Sequence, residues 1–316
     1  MRIALIQISD MHCLGYAQES KSDRIDNAIA AIKALGHLDH AVLFCSGDLT
    51  DHAHSNEYKS AQRALGRFLT NLGAALNQFI PLIVVPGNHD IALSTTDRGI
   101  TEIQRWIKND HIGEDLQRMS GFFNYANSKK CFLGNRLYDT KIINYDGLKI
   151  GCCMLNSAPF STLSHDDKEA HYFPGEVEVA LRRMPTCDFM VTIMHHSYEH
   201  FEWNSRQLLK KALYGNDLVF YGHDHVSEGL SITKDFSKRI VFVDNIDMIK
   251  SEKARNNLTD YIIRKGGLLI YSTKEPLRLD LVDVVKGRIL DEEQGSLDIV
   301  TTLPIGIQLV SWIMCL

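Results

Sequence analysis

The sequence RIALIQISDMH, residues 2–12, decides the fold, because an apolar run ends directly in the polar residues Asp10 and His12. A short apolar run bounded by polar residues is typical of a buried strand. A carboxylate and an imidazole two positions apart on an extended segment share a face and can bind one ion. This stretch therefore predicts a buried first strand that presents a metal-binding pair at its carboxyl end.

Two further apolar runs, Ala41–Cys45 and Pro81–Val85, also open into polar motifs. Those motifs are Gly47-Asp48-Leu49-Thr50-Asp51 and Gly87-Asn88-His89-Asp90. Helical spacing of apolar residues lies between the runs, over Ser22–Leu35 and Glu57–Leu76. Alternating strands and helices predict a parallel sheet with helical crossovers, in which ligands gather at the carboxyl ends of the strands.

The second half of the chain predicts another sheet that packs against the first. Strands over Phe189–Met194 and Asp217–Tyr221 end at histidine motifs, and Tyr145-Asp146-Gly147 is a hairpin signal. Two antiparallel pairs are predicted, Leu230–Thr233 with Arg239–Val243 and Tyr261–Ile263 with Leu268–Tyr271.

Composition limits the classes of protein to which the chain can belong. Its 316 residues are 45% hydrophobic, so a large core can form and disorder is disfavoured. The formal net charge of -5 provides no basic footprint for tight, sequence-independent DNA binding. The seven cysteines are odd in number and irregularly spaced, which predicts reduced thiols in a cytoplasmic protein. The N-terminal sequence does not resemble a signal peptide.

Five polar motifs, each at a predicted strand end, carry the metal chemistry. They are Asp10-Met11-His12, Gly47-Asp48-Leu49-Thr50-Asp51, Gly87-Asn88-His89-Asp90, His195-His196 and Gly222-His223-Asp224-His225. Oxygen and imidazole ligands suit hard or borderline divalent ions rather than a thiolate site. Buried charges are costly unless they are paired or bind metal, which disfavours a purely structural role for all five motifs. The set predicts a dinuclear metallohydrolase.

With these motifs in this order, residues 1–250 resemble the calcineurin-like metallophosphoesterases. The resemblance implies an α/β fold, a four-layered α/β/β/α sandwich of two mixed sheets flanked by helices. It also implies the metal ligands. These are Asp10, His12 and His225 for the first metal, Asp48 as the bridge, and Asn88, His195 and His223 for the second metal.

The resemblance also assigns residues that bind no metal. His89 is the expected catalytic residue, because beside Asn88 it can face the phosphoryl oxygen or the leaving group. Asp90 is predicted as its catalytic partner, holding the imidazole and raising its pKa, with a turn or helix-capping role as the alternative. Asp51 and His196 are assigned to the surroundings of the ligands or to substrate contact.

The implied reaction is hydrolysis of a phosphoester by a metal-activated hydroxide. Two bound divalent ions polarise the phosphoryl oxygens and lower the pKa of water from ~15.7 to ~7. A side-chain nucleophile is therefore not needed, and Cys13 is interpreted as a packing residue. The ligand types permit Mn, Fe, Zn, Co or Ni, with Mn or Fe favoured.

Departures from the motifs of known subfamilies narrow the range of possible substrates. Asp51 stands where purple acid phosphatases have a metal-bound tyrosine, and His52 where protein Ser/Thr phosphatases have an arginine. The motifs around Asp48 and Asn88 look most like those of bacterial cyclic-nucleotide-type phosphodiesterases, which favours a small, nucleotide-like phosphodiester. The sequence His195-His196-Ser197-Tyr198 departs from the His-His-Pro-Pro that is more common there.

Specificity is assigned to Thr101–Lys141, in which Phe122–Lys141 is predicted to be irregular. Its aromatic residues would stack on a base and Lys129-Lys130 would meet phosphate. The alternative is a solvated loop over a small secondary core.

Two other functions stay open at this stage. A metal-dependent nuclease would use the same ligands on nucleic acid, but the net negative charge disfavours it. A non-catalytic scaffold is disfavoured because every ligand position is filled. Oligomeric state is not predicted.

The catalytic domain is predicted to span residues 1–250, with residues 251–316 as C-terminal strands and an apolar tail that complete or flank the fold. The tail, Ile299–Leu316, is interpreted as a terminal element docked on the core or the cut edge of a longer protein. It is barely long enough to cross a bilayer, so membrane contact is the disfavoured alternative.

Overall fold

The computed structural model describes residues 3–14, 29, 32–33, 37–93, 111–132, 134–161, 171, 184–197, 200–213, 216, 218–223, 230–235, 238–243, 267–272, 277–283, 288–289, 298–299 and 307–311. Its strands are β1 (Ile3–Ile8), β2 (His40–Cys45), β3 (Leu82–Val84), β4 (Tyr138–Tyr145), β5 (Leu148–Leu155), β6 (Phe189–Ile193), β7 (Leu218–Phe220), β8 (Leu230–Asp235), β9 (Lys238–Val243), β10 (Gly267–Ser272), β11 (Leu277–Asp283), β12 (Arg288–Ile289), β13 (Asp298–Ile299) and β14 (Ile307–Ser311). Its helices are α1 (Ser55–Leu76), α2 (Ile112–Arg118), α3 (Ser120–Lys129) and α4 (Trp203–Leu213), with one 3₁₀ turn at Asn88–Asp90.

The first sheet is parallel throughout, with its strands in the order β14-β1-β2-β3. Strands covered on both faces read as continuous apolar runs, and β1 is buried along its whole length. The helix α1 connects β2 to β3, which confirms the predicted parallel crossover. The predicted helix Ser22–Leu35 lies mainly outside the described residues. The boundary at residue 250 stays a prediction, but β14, from the apolar tail, lies beside β1.

The second sheet is mixed, with its strands in the order β4-β5-β6-β7-β9-β8. The pairs β4–β5 and β8–β9 are antiparallel, and the pairs between them are parallel. The hairpin predicted between β4 and β5 is confirmed. Asp146 and Gly147 have φ values of 51° and 93°, because a tight two-residue hairpin loop requires left-handed backbone.

The C-terminal strands form a third, smaller sheet in the order β10-β11-β12, with β13 also paired to β11. The strand over Leu268–Tyr271 pairs with β11, which follows it in the chain. Its predicted pairing with Tyr261–Ile263 concerns residues that lie outside the described part of the chain.

The two large sheets face each other across one apolar core. The rings of Phe44 on β2 and Phe220 on β7 lie 5.1 Å apart, and the Tyr145 hydroxyl donates to the Ala41 carbonyl at 3.2 Å. Alternation along β7 turns Val219 to the opposite face, where it packs with Leu209 of α4. The fold is therefore the predicted one, with two sheets flanked by helices.

The segment Phe122–Lys141 corrects a sequence prediction. It is not irregular, because α3 covers its first part and β4 begins at Tyr138. Its aromatic residues pack in the core, where Phe122 is fully buried and Tyr125 is 5% exposed, so these rings are not available for stacking on a base. Lys129 and Lys130 are exposed, which the prediction that they meet a substrate phosphate requires.

Two observations concern the chemistry of the chain as a whole. All six cysteines among the described residues are free, five of them buried, in line with the reduced thiols predicted. No helix in the described part of the chain is both long and apolar enough to span a membrane.

Candidate metal centre

The predicted site residues come together where strands of both sheets end. The Asp10 amide donates to the Gly47 carbonyl at 3.0 Å, which joins the loops that follow β1 and β2. The amide of Gly222 donates to the His195 carbonyl at 2.8 Å, joining the ends of β6 and β7. Between the sheets, the His223 amide lies 3.3 Å from Oδ1 of Asp10. Backbone bonds thus fix the loops that carry the motifs.

Four of the proposed ligands have left-handed backbone. The φ values are 51° at Asp10, 39° at His12, 51° at Asp48 and 77° at His223. Residues other than glycine seldom adopt this region, and such residues concentrate at functional sites. The chain therefore turns sharply at each ligand, which lets short loops aim several side chains at one point.

Two glycines permit the close approach of these loops. Gly47 has a φ of 104°, and a Cβ added there would overlap the imidazole of His195. A Cβ on Gly87 would overlap the carboxylate of Asp48. Both motifs therefore require glycine at these positions, because neither neighbour can move without disturbing the site.

Asp48 lies at the centre of the site and is fully buried. Its Oδ1 accepts the His89 amide at 2.9 Å. Its Oδ2 lies 3.3 Å from Nε2 of His195 and 3.7 Å from Nε2 of His12, and accepts no hydrogen bond within the described residues. Burial would raise the pKa of Asp48, but the nearby imidazoles of His195 and His89 hold it well below its usual range. A buried, ionised oxygen between two imidazoles fits a bridging metal ligand.

On one side of Asp48 lie the three residues expected at the second metal. The carbonyl of Ser46 accepts Nδ1–H of His195 at 2.8 Å, so the other ring nitrogen, Nε2, faces the site. Oδ1 of Asn88 lies 3.0 Å from Nε2 of His195 and 3.1 Å from Nδ1 of His223. Burial would lower the pKa of His195, but the Asp48 carboxylate outweighs it and raises the pKa to about 9. Without metal, Nε2 of His195 therefore carries a proton.

On the other side lies His12, expected at the first metal. Its Nδ1 lies 3.2 Å from Oδ1 of Asp51, which leaves Nε2 directed towards Asp48. Asp51 thus takes the predicted place behind a ligand, and the hydrogen bond to His12 lowers the pKa of Asp51 to about 2. A carboxylate behind a histidine fixes the tautomer and strengthens the metal ligand. His225, the third residue expected here, lies outside the described residues.

His89 lies at the opening of the site and is 6% exposed. Its Nδ1–H donates to the backbone carbonyl of Asp51 at 2.8 Å. Its ring stands edge-on to that of His12, with the centroids 4.5 Å apart. Burial lowers the pKa of His89, so the imidazole is neutral at pH 7 and presents a bare Nε2.

The prediction that Asp90 orients His89 was wrong. The Asp90 carboxylate accepts the amides of Leu49, Thr50 and Gly87 at 3.0–3.2 Å and the Thr50 hydroxyl at 2.9 Å. Asp51 holds His89 instead, through its backbone carbonyl. Consistent with this, the pKa of His89 is lowered and not raised. Burial, followed by the charge of Asp48, raises the pKa of Asp90 to about 6.

Asp90 is therefore a brace between the loops after β2 and β3, and we expect Asp90→Ala to lower the free energy of unfolding by at least ~3 kcal/mol. The buried amides of Leu49, Thr50 and Gly87 would lose their acceptor, and each costs ~1–3 kcal/mol when unsatisfied, whereas the Thr50 hydroxyl can still donate to the His89 carbonyl at 3.1 Å. Urea unfolding of the metal-free protein measures the change.

Asp188→Ala is the control for this experiment, because Asp188 is exposed and, among the described residues, accepts the Lys149 amide alone, at 2.7 Å. It should change stability by less than ~1 kcal/mol. Equal losses in the two variants would show that Asp90 is not a brace.

Some residues of the site carried no sequence signal. Ser157 holds the backbones of His195 and His196, and two further buried histidines, His171 and His200, pack beside them. His196 itself is fully buried. A single serine or histidine outside a motif has no distinguishing pattern, so these residues become recognisable only once the fold brings them together.

The donors that converge here fit divalent metal ions. In the described part of the chain, three groups of residues each bring their ligand atoms within 4.8 Å of one another. The groups are His12 with Asp48 and His89, Asp10 with Asp48 and His195, and His195 with His196 and His223. Asp48 and His195 each belong to two of the three groups. Imidazole and carboxylate ligands suit Mn, Fe, Zn, Co or Ni.

Comparison with known proteins agrees with this geometry. The chain matches the calcineurin-like phosphoesterase family over residues 3–227, and it belongs to that family. A search of curated proteins found no match.

Two solved structures match the chain at low similarity. Phosphopantetheinyl hydrolase from Mycobacterium tuberculosis is 14% identical, covers 78% of this chain and 90% of its own, and gives a TM-score of 0.39. The sulfate thiohydrolase SoxB of Thermus thermophilus, in complex with glycerol, is 10% identical and gives a TM-score of 0.40. That match covers 86% of this chain and 41% of the other. Likenesses this low carry no argument about substrate.

Proposed function

We propose that this protein is a dinuclear-metal-dependent hydrolase of phosphodiesters, acting on small nucleotide-like substrates. The observation that carries the proposal is the position of Asp48, whose buried Oδ2 lies 3.3 Å from His195 and 3.7 Å from His12. One carboxylate oxygen within reach of an imidazole from each of the two expected metal positions is the arrangement that two neighbouring cations require.

Each residue then has a defined task. Asp10 and His12, with His225, would hold one ion, and Asp48 would bridge to the other. Asn88, His195 and His223 would hold the second ion, and Ser46 and Asp51 contact Nδ1 of His195 and His12, so that Nε2 of each ring faces the site. When bound, the two ions supply charge for the phosphoryl oxygens and activate water.

His89 supplies the non-metal chemistry in this proposal. Its ring is anchored through Nδ1 to the Asp51 carbonyl, so Nε2 has a fixed direction at the opening of the site. A neutral imidazole there can accept a proton and pass it to the leaving oxygen. Phosphorus is attacked by hydroxide in line with that oxygen, and the P–O bond to the leaving group breaks.

The wording of the motifs supports a diester over a monoester. Gly47-Asp48-Leu49-Thr50-Asp51 and Gly87-Asn88-His89-Asp90 resemble the motifs of bacterial cyclic-nucleotide-type phosphodiesterases.

A substrate comparison tests the proposal directly. With Mn²⁺ added, we expect turnover of bis(p-nitrophenyl) phosphate to exceed turnover of p-nitrophenyl phosphate by at least ~10-fold, and EDTA to abolish both activities. Preference for the monoester would overturn the choice of diester. Turnover of neither, with no metal bound, would point to the scaffold. Cleavage of plasmid or single-stranded DNA, without turnover of cyclic nucleotides, would point to the nuclease.

A further inference from the structure

One serine hydroxyl contacts both members of the adjacent pair His195-His196. Oγ of Ser157, just beyond the end of β5, accepts the backbone amide of His195 at 3.2 Å and that of His196 at 3.0 Å. The same Oγ lies 3.0 Å from Nδ1 of His196. All three residues are buried.

Counting donors and acceptors fixes the tautomer of His196. A hydroxyl has one hydrogen to donate and two lone pairs that accept. The two backbone amides can only donate, and they occupy both lone pairs of the Ser157 oxygen. The remaining contact must therefore run from the Ser157 hydroxyl to Nδ1 of His196. Nδ1 is then the acceptor, and the neutral ring carries its proton on Nε2.

The same reasoning gives the opposite tautomer for His195. Its Nδ1 lies 2.8 Å from the carbonyl of Ser46, which can only accept, so Nδ1 carries a proton. Its Nε2 faces Oδ1 of Asn88 and Oδ2 of Asp48 at 3.0 and 3.3 Å. A metal ion at this position would take the lone pair of Nε2.

We propose that Ser157 is a positioning residue that divides the pair, with His195 as a metal ligand and His196, whose ring accepts the Ser157 hydroxyl at Nδ1, as a residue that binds no metal. This inference rests on the metal centre of the proposed function and deepens it. Ring separations alone would not give this division, because His195, His196 and His223 lie 4.5–5.2 Å apart and all three could face one ion.

The ring of His196 lies among other buried imidazoles. Its ring lies 3.7 Å from that of His171 and 4.5 Å from that of His223, and both neighbours are buried. The His171 backbone is itself fixed, because its amide donates to the His200 carbonyl at 3.0 Å. The Nε2–H of His196 thus lies among imidazoles behind the second metal position and away from bulk water.

The first test is the tautomer itself, measured by long-range ¹H–¹⁵N correlation NMR on histidine-labelled protein, metal-free and Zn²⁺-loaded. We expect the proton of His196 on Nε2 in both samples, and, within the pair, a change on Zn²⁺ binding at Nε2 of His195 only. His195→Gln and His196→Gln assign the signals. A proton on Nδ1 of His196, or a Zn²⁺-induced change at its Nε2, would overturn the inference. The tautomers are read from the wild-type chain, and the two variants serve only to assign its signals.

The second test is metal affinity, measured by titration with Mn²⁺ and by elemental analysis. We expect Ser157→Ala to weaken binding of one of the two ions by ~10–100-fold, as is usual for residues that position a ligand. Ser157→Thr, which keeps the hydroxyl, should restore it. His196→Gln should retain both ions, whereas His195→Gln should lose one.

Ser161→Ala is the matched control, since Ser161 is a buried serine in the same loop whose hydroxyl donates to the Ala158 carbonyl. It should bind both ions with unchanged affinity. If wild-type protein binds no pair of ions, the proposed function fails. If wild-type protein binds two ions but Ser157→Ala binds both as tightly, or His196→Gln loses one, only the present inference fails.

Discussion

Asp48→Asn is expected to lower kcat by about 10³-fold and to reduce the metal content from two ions per chain towards one. The substitution keeps the size of the side chain and the oxygen that accepts the His89 amide. It removes the negative charge from the fully buried position between His195 and His12. A lost metal removes several kcal/mol of charge stabilisation, and ~4 kcal/mol corresponds to ~10³-fold in rate.

Elemental analysis of dialysed protein and diester turnover at saturating substrate measure the two effects of this substitution. Asp146→Asn is the matched control, because the side chain of Asp146 is 83% exposed in the β4–β5 turn, where asparagine also tolerates left-handed backbone. It should leave kcat and metal content unchanged. Full activity in Asp48→Asn would show that Asp48 is not a bridge.

His89→Ala is expected to lower kcat by ~10²–10³-fold while both ions remain bound. Only the backbone amide of His89 contacts a proposed ligand through a hydrogen bond, and alanine retains that amide. The substitution removes the imidazole whose Nδ1–H is anchored to the Asp51 carbonyl and whose Nε2 lies at the opening of the site. Proton transfer to the leaving oxygen would then depend on water.

The size of this effect should depend on the leaving group. A good leaving group such as p-nitrophenolate needs little protonation, so the loss should be smaller for bis(p-nitrophenyl) phosphate than for a nucleotide diester. His37→Ala, which alters an imidazole that is 80% exposed, is the control and should not change kcat. Loss of a metal ion in His89→Ala, or an equal loss of rate for both substrates, would contradict the catalytic role.

Much of the site could be predicted because its residues stand next to strong local signals. Asp10, Asp48, Asn88, His195 and His223 each follow an apolar run that becomes a buried strand. Parallel strands bring their carboxyl ends to one edge, so position in the chain translates directly into position in space. The same regularity explains why the two sheets were predicted correctly.

Contacts between distant parts of the chain could not be predicted. Asp90 is adjacent to His89, and a sequence suggests that neighbours interact. The 3₁₀ turn over Asn88–Asp90 instead points these two side chains in different directions, His89 to the opening and Asp90 to the loop after β2. Ser157 and His171 likewise acquire their roles only from residues far away in the sequence.

Helix α3 was missed for a related reason. Phe122 and Phe123 are adjacent, and Tyr125 follows after one polar residue, so the apolar spacing is not clearly helical. No side chain caps the start of the helix, and the pattern therefore lacks a clear start signal. The helix is stabilised by burial of those rings against the core and against α1, an effect of tertiary packing.

The dinuclear metal centre is tested most directly by anomalous diffraction, at the manganese absorption edge, from crystals of the Mn²⁺-loaded protein. Two peaks ~3.5–4 Å apart are expected, with the carboxylate of Asp48 between them. His195 should contact only one of the two peaks. A single peak, or peaks remote from Asp48, would contradict the dinuclear centre on which the proposed hydrolysis depends.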